Sequence, residues 1–194
     1  MPLSANAIID LADAKLHLGI SGTSQDALVE ALIDQASEMV EVLLAGAKVI
    51  RRTITDEDQP RPKGRRMHLN ARPIVTVTQV RDSLGTVVDA TTYQALASDG
   101  VLEHDGLWPY PTRTGGGPGR FRVTYSAGIA ANFAAVPFRI RQACRLLVGL
   151  GYQSRAEGVA NLTIPGVLAI TFDRSPESQT QVRALLAADA VVGV

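Results

Sequence analysis

The apolar pattern of this chain changes period twice, and that double change most tightly constrains its fold. In SQDALVEALIDQASEMVEVLLAG (24–46), Ala27, Leu28, Ala31, Leu32, Ala36, Met39 and Leu43 recur at steps of three and four, which lines one face of a helix. After Pro137, Ile140, Ala143, Cys144, Leu147, Val148 and Gly151 do the same. Proline suits the first helical position there, because that amide has no intrahelical partner in any case. Between the two stretches the period is two, as in IVTVTQVRD and GRFRVTYSAG, rich in β-branched and aromatic residues. One segment cannot satisfy both periods, so the flanks are helical and the middle is β. The fold class predicted is α+β, a small helical bundle with an inserted antiparallel β subdomain and a C-terminal helical tail.

Turn chemistry sets the boundaries. IIDLADAKLHLGI (8–20) predicts a short helix capped by Asp10 and stopped by Gly19, and Ser24 and Gly46 bracket the long helix that follows. About six short strands are expected between residues 48 and 126, in an antiparallel sheet or small sandwich. QPRPKG (59–64) and TGGGPG (114–119) have the composition of flexible hairpin tips. This divides the chain into a helical core of residues 1–47 and 127–174, a β subdomain of residues 48–126 and a tail of residues 175–194.

Composition enters mainly through what it excludes. Lysine plus arginine equals aspartate plus glutamate, so a dedicated nucleic-acid binder, with its basic excess, is not indicated. The single cysteine, Cys144, lies on an apolar helix face and reads as a small core residue. His17, His68 and His104 fall in separate elements without metal-ligand spacing, and TGGGPG lacks the Lys-Ser/Thr of a phosphate-binding loop. YSAGIA is not a nucleophile elbow. No enzyme activity, metal or cofactor is expected, and no apolar run has membrane-spanning length.

Three charged or apolar features remain. Glu30, Asp34, Glu38 and Glu41 form an acidic stripe along the long helix, and Arg141 and Arg145 lie one turn apart on the proline-started one. The stripes are solvated, pair within one chain, or meet between subunits; alternatively the acidic one lines a channel. Arg61, Lys63, Arg65 and Arg66 form a basic cluster, either anion-facing or a charged sheet edge that discourages pairing. The tail carries Val182, Leu185 and Leu186 on one side of a short helix and ends in Val191, Val192 and Val194, apolar residues that need a surface to pack on.

Taken in order, LADAKLHLGI, ALVEALIDQASEMVE, RPIVTVTQVRDSLGT with TTYQAL, and VTYSAGIAANFAAVPFRIRQACRLLVGLGYQSR leading to IPGV resemble the head–tail connector (adaptor) proteins of tailed bacteriophages and gene transfer agents. The resemblance spans residues 8 to 170, and its signature is Tyr125, Ala127 and Gly128, then the Pro137 helix with Tyr152 and Arg155 near its end. It implies a non-enzymatic structural protein of the virion, made in the host cytoplasm. Such proteins form a ring, dodecameric where it matches the portal, at the head–tail junction. The ring binds the portal protein after genome packaging and receives a stopper or tail-completion protein, and DNA passes through its channel without specific binding. The residues after Arg174 depart from the family pattern, so the tail's docking on the portal is argued from its own side chains. A stopper of the neck, a ligand-binding module built on the β region and a hydrolase are the other functions weighed.

Overall fold

The computed structural model describes residues 3–109, 119–156 and Ala184. Among them the chain forms three helices and two antiparallel three-stranded sheets, a mixed α+β protein. The described residues divide into a helical unit, residues 3–45 and 130–156, and a β unit within Gly46–Ile129.

In the helical unit α1 (Leu11–Leu18) begins where the Asp10 carboxylate accepts the Asp13 amide at 2.6 Å. It stops at Gly19, whose φ of 68° lets the amides of Gly19 and Ile20 turn back to the Leu16 and Lys15 carbonyls. The following α2 (Asp26–Leu43) is not capped by Ser24; Gln25 stands at the cap without a side-chain bond, and Lys15 reaches the Gly22 carbonyl and the Asp26 carboxylate. The buried face of α2 is Val29, Leu32, Ile33, Ala36, Ser37, Val40 and Leu44. This corrects the expected face by about one residue step, or 100°: Ala27 and Ala31 lie exposed, and Leu28, Met39 and Leu43 are half-buried. The physical reason is size, since Val29, Ile33 and Val40 remove more apolar surface from water than alanines would.

The third helix, α3 (Phe138–Ala156), buries Ile140, Ala143, Cys144 and Val148, the stripe read from its sequence. Two contacts pin the helices together. Ser37, buried on α2, donates to its own Ile33 carbonyl at 2.7 Å, accepts the Ile8 amide at 3.1 Å and lies 3.9 Å from the Cys144 sulfur. Arg145 on α3 grips the Asp13 carboxylate of α1 in a fork, with Nη2 at 2.7 Å and Nε at 3.1 Å, both side chains about four-fifths buried. Burial pushes the Cys144 thiol up to about 12, which keeps it protonated and unreactive at neutral pH.

The β unit holds β1 (Arg52–Pro60), β2 (Arg66–His68), β3 (Ile74–Asp82), β4 (Tyr93–Leu96), β5 (Val101–His104) and β6 (Arg120–Ala127). One sheet has the order β1-β6-β3 and the other β2-β5-β4. Strict alternation on β6 sends Phe121, Val123, Tyr125 and Ala127 inward. They meet Met67 and Leu102 of the second sheet, with Trp108 among them in edge contact with Phe121, at 5.4 Å between ring centres. Residues 59–64 are not a hairpin tip, because β1 pairs with β6 and β2 with β5, so this stretch crosses between sheets. The glycine-rich stretch 114–119 lies outside the described residues apart from Gly119.

A bulge in β1 organises the polar part of this core. Three residue steps from Ile54 to Glu57 face two on β6, and Asp56 takes φ 50°. The shift turns the Glu57 carboxylate toward the buried Tyr125, whose hydroxyl donates to it at 2.5 Å and accepts the Ala71 amide at 3.0 Å. Glu57 also accepts the Asn70 amide at 2.9 Å, so one carboxylate and one phenol hold the turn before β3. Burial first, then the carboxylate, pushes the Tyr125 phenol well above its ordinary range. The unit is closed where it begins and ends: Gly128 and Ile129 donate to the Pro73 and Lys48 carbonyls, and Lys48 donates to Arg72. Gly128 sits at φ 146°, and a Cβ there would come 2.4 Å from the Arg51 Cα.

Gly128→Ala is expected to cost about 3 kcal/mol, because neither strand backbone can retreat without breaking the β1–β6 ladder; chemical denaturation measures it. Arg145→Ala should cost about 1–3 kcal/mol by leaving the Asp13 carboxylate unpaired in a half-dry site. The double variant Asp13→Ala/Arg145→Ala should lose less than the two single losses added together, the signature of direct coupling in a denaturation cycle.

Candidate assembly surfaces

The charged side chains singled out from sequence fall on different parts of the two units. Along α2 every charge is negative: Asp26, Glu30, Asp34, Glu38 and Glu41, with no basic residue. Along α3 every charge is positive: Arg139, Arg141, Arg145 and Arg155, with no acid. The two sets are used unequally inside the chain. Asp34 accepts the Ser4 amide at 3.2 Å, Glu30 and Glu41 have contacts of their own within the chain, and Glu38 is exposed. Arg145 turns toward α1 and is held by Asp13, so its fork is already filled within its own chain. Arg141 stands half-buried, with its Nε shielded from water and without a hydrogen-bond partner among the described residues. Arg139 is exposed.

The basic cluster of the β unit is also partly engaged. Arg61 is half-buried and its Nη2 donates to the Trp108 carbonyl at 3.1 Å; Arg66 pairs with Glu103 at 3.1 Å. Lys63 and Arg65 are exposed. The backbone of Arg65 has a structural task, since its carbonyl accepts the Trp108 indole at 2.7 Å and the His104 amide at 2.9 Å. The cluster is therefore the crossover between sheets, with Lys63, Arg65 and Arg66 exposed and Arg66 paired with Glu103. The tail residues Val182, Leu185, Leu186, Val191, Val192 and Val194 lie outside the described residues.

Several exposed apolar residues carry no mark in the sequence that distinguishes them from core. On the helical unit these are Leu16, Val42, Phe133 and Phe138, the last 65% exposed at the start of α3. On the β unit Leu84 and Val87 stand out on a turn that Asp82 stiffens, its carboxylate accepting the Leu84 and Thr86 amides at 2.9 and 2.8 Å. Between α1 and α3 a shallow cleft is lined by His17, Leu18, Leu146, Gly149, Leu150 and Tyr152. His17 brings the one imidazole there, and no carboxylate or thiol among the described residues lines the cleft with it, so the cleft assembles no acid–base or nucleophilic pair. Among the described residues no three potential metal ligands come together, and no helix is long and apolar enough to cross a membrane. What the surfaces offer is contact: one acidic helix face, one basic helix edge with an aromatic residue at its start, and a rigid apolar turn.

Comparison with known proteins bears on what such surfaces serve. The structure is similar to the neck of an empty gene transfer agent particle computed with C6 symmetry, with a TM-score of 0.67 and 20% identity over 95% of this chain and 92% of that one. It is similar to the neck of the native particle computed with C12 symmetry, with a TM-score of 0.65 and 21% identity over 95% and 91%. A chain of the native gene transfer agent virion matches with a TM-score of 0.61 and 21% identity over 95% and 92%. No protein of curated function matches the sequence. The family model for head completion proteins, a structural and not an enzymatic family, matches residues 7–188. With that model spanning both units and the loops between their elements, the chain belongs to the head completion protein family.

Proposed function

We propose that this protein is the connector, or adaptor, of the head–tail junction of a phage or gene-transfer-agent virion. It forms a ring that binds the portal after packaging and carries the DNA channel toward the tail. The observation that carries this reading is the extent of the likeness: the fold of neck proteins from particles of cyclic symmetry is matched over 95% of the chain, both units included. In this reading the helical unit is a small bundle built from residues 1–47 and 127–174, and residues 48–126 decorate it. The ring copy number follows the portal, twelve in a dodecameric portal, and the partners are the portal above and a stopper or tail-completion protein below. The acidic face of α2 suits either a subunit contact or a channel wall, where like charge keeps DNA from sticking. Lys63 and Arg65 are the anion-facing candidates of the β unit.

The tail, residues 175–194, is the portal-docking element. A short helix with Val182, Leu185 and Leu186 on one side gains stability by burying them in a groove of a partner, and Val191, Val192 and Val194 extend that apolar surface. SPESQTQ supplies a polar tether before it.

Native mass measurement of the purified protein mixed with portal tests the function. An adaptor binds portal directly; binding only after another neck protein has been added identifies a stopper and overturns the assignment. Deletion of residues 178–194 should leave the melting temperature within about 2 °C of the full chain while abolishing portal binding. Unchanged portal affinity, or loss of the fold, removes the tail from that role.

A further inference from the structure

We propose that the outer face of α2 receives the exposed edge of α3 from a second copy of this chain, with the helices antiparallel. In this contact Phe138 lies on Val42, Arg139 meets Glu38, and Leu146 lies over Ala31 and Gln35. The proposal rests on the ring reading above and gives it a defined subunit contact.

Ala27, Ala31, Gln35, Glu38 and Val42 occupy one arc of α2, and all five are exposed, while the opposite arc is the buried face. An outer helix face carrying two alanines and a valine is thinly polar for solvent, and its small residues let another helix approach closely. On α3 Phe138, Gln142 and Leu146 follow at steps of four, beside Arg139 and away from the buried stripe, Phe138 and Arg139 exposed and Gln142 and Leu146 half-buried. Charge selects the pairing. The α2 face belongs to a helix with only acids and the α3 edge to a helix with only arginines, so α2 repels a second α2 and attracts a second α3. Charge also selects the direction. The exposed acid and Val42 lie toward the C-terminal end of α2, whereas Arg139, Arg141 and Phe138 lie at the N-terminal end of α3. Only the antiparallel arrangement brings these ends together. The lengths agree: Phe138 to Leu146 is about 12 Å along a helix axis and Val42 to Gln35 about 10.5 Å. Arg141, with its Nε unpartnered, comes within reach of the same acidic end. Phe138 is the anchor, a large apolar side chain desolvated on Val42 at one end of the contact, with the Arg139–Glu38 pair beside it. Because the two surfaces differ, each copy offers one to each neighbour, and the contact propagates around an axis rather than closing as a pair.

The test uses the full chain at high concentration. With Val42→Cys and Phe138→Cys in one chain, mild oxidation should give a ladder of covalent oligomers, while buried Cys144 stays unreactive. Absence of cross-links, an intrachain disulfide, or a product that stops at the dimer overturns the proposal. Arg139→Glu and Glu38→Arg should each raise the concentration needed for self-association about tenfold or more, and the two together should restore it. Circular dichroism shows that the variants fold, and failure of the double variant to restore association overturns the pairing. Direct binding of the wild-type chain to portal is measured separately. A protein that binds portal but gives no ladder refutes this contact alone, and one that gives the ladder but does not bind portal refutes the adaptor reading alone.

Discussion

The pairing of the first strand with the last is the constraint on which the rest of the structure depends. The helical unit needs α2 and α3 side by side, yet 94 residues separate the end of one from the start of the other. A β segment can be inserted there only if its two ends emerge together. The β1–β6 ladder does this, and the bonds from Gly128 and Ile129 to Pro73 and Lys48 lock the two crossing backbones at its foot. Glycine is required at 128 because the Arg51 backbone occupies the space of a side chain.

Much of this was legible in the sequence, for reasons that can be stated residue by residue. β6 alternates without interruption, so its inward residues follow from period two alone, and Asp10 and Gly19 mark α1 by cap chemistry. On β3 two bulges interrupt the ladder, so Ile74, Val77 and Val80 turn inward at steps of three and Val75 turns out, which no fixed period describes. On α2 apolar residues cover more than one arc, and the arc that wins burial is the one with the β-branched side chains.

The charged sites show a different limit. That the acids lie along α2 and the arginines along α3 follows from charge spacing, which is local. Which charges are already used is a long-range property. Asp13 holds Arg145 from 132 residues away, and nothing near either residue announces it. Ser37, an unremarked serine in a helix, links Ile8, Ile33 and Cys144 for the same reason. Phe138 lies in α3 and on the surface, since periodicity tells which residues share a face and not whether that face is covered.

The grip of Arg145 on Asp13 also orders events during synthesis. The β unit is continuous in the chain from Gly46 to Ile129 and can close as soon as β6 leaves the ribosome. The helical unit cannot: α1 and α2 are made first but lack their partner until α3 emerges, 132 residues after Asp13. At about 5–20 residues per second that delay is roughly ten seconds, long on the scale of helix formation and collapse. During it the part of α2 that packs on α3 has no helix to cover it. An all-acidic α2 is suited to that interval, because nascent chains that repel one another through this helix are kept from associating by its uncovered apolar face.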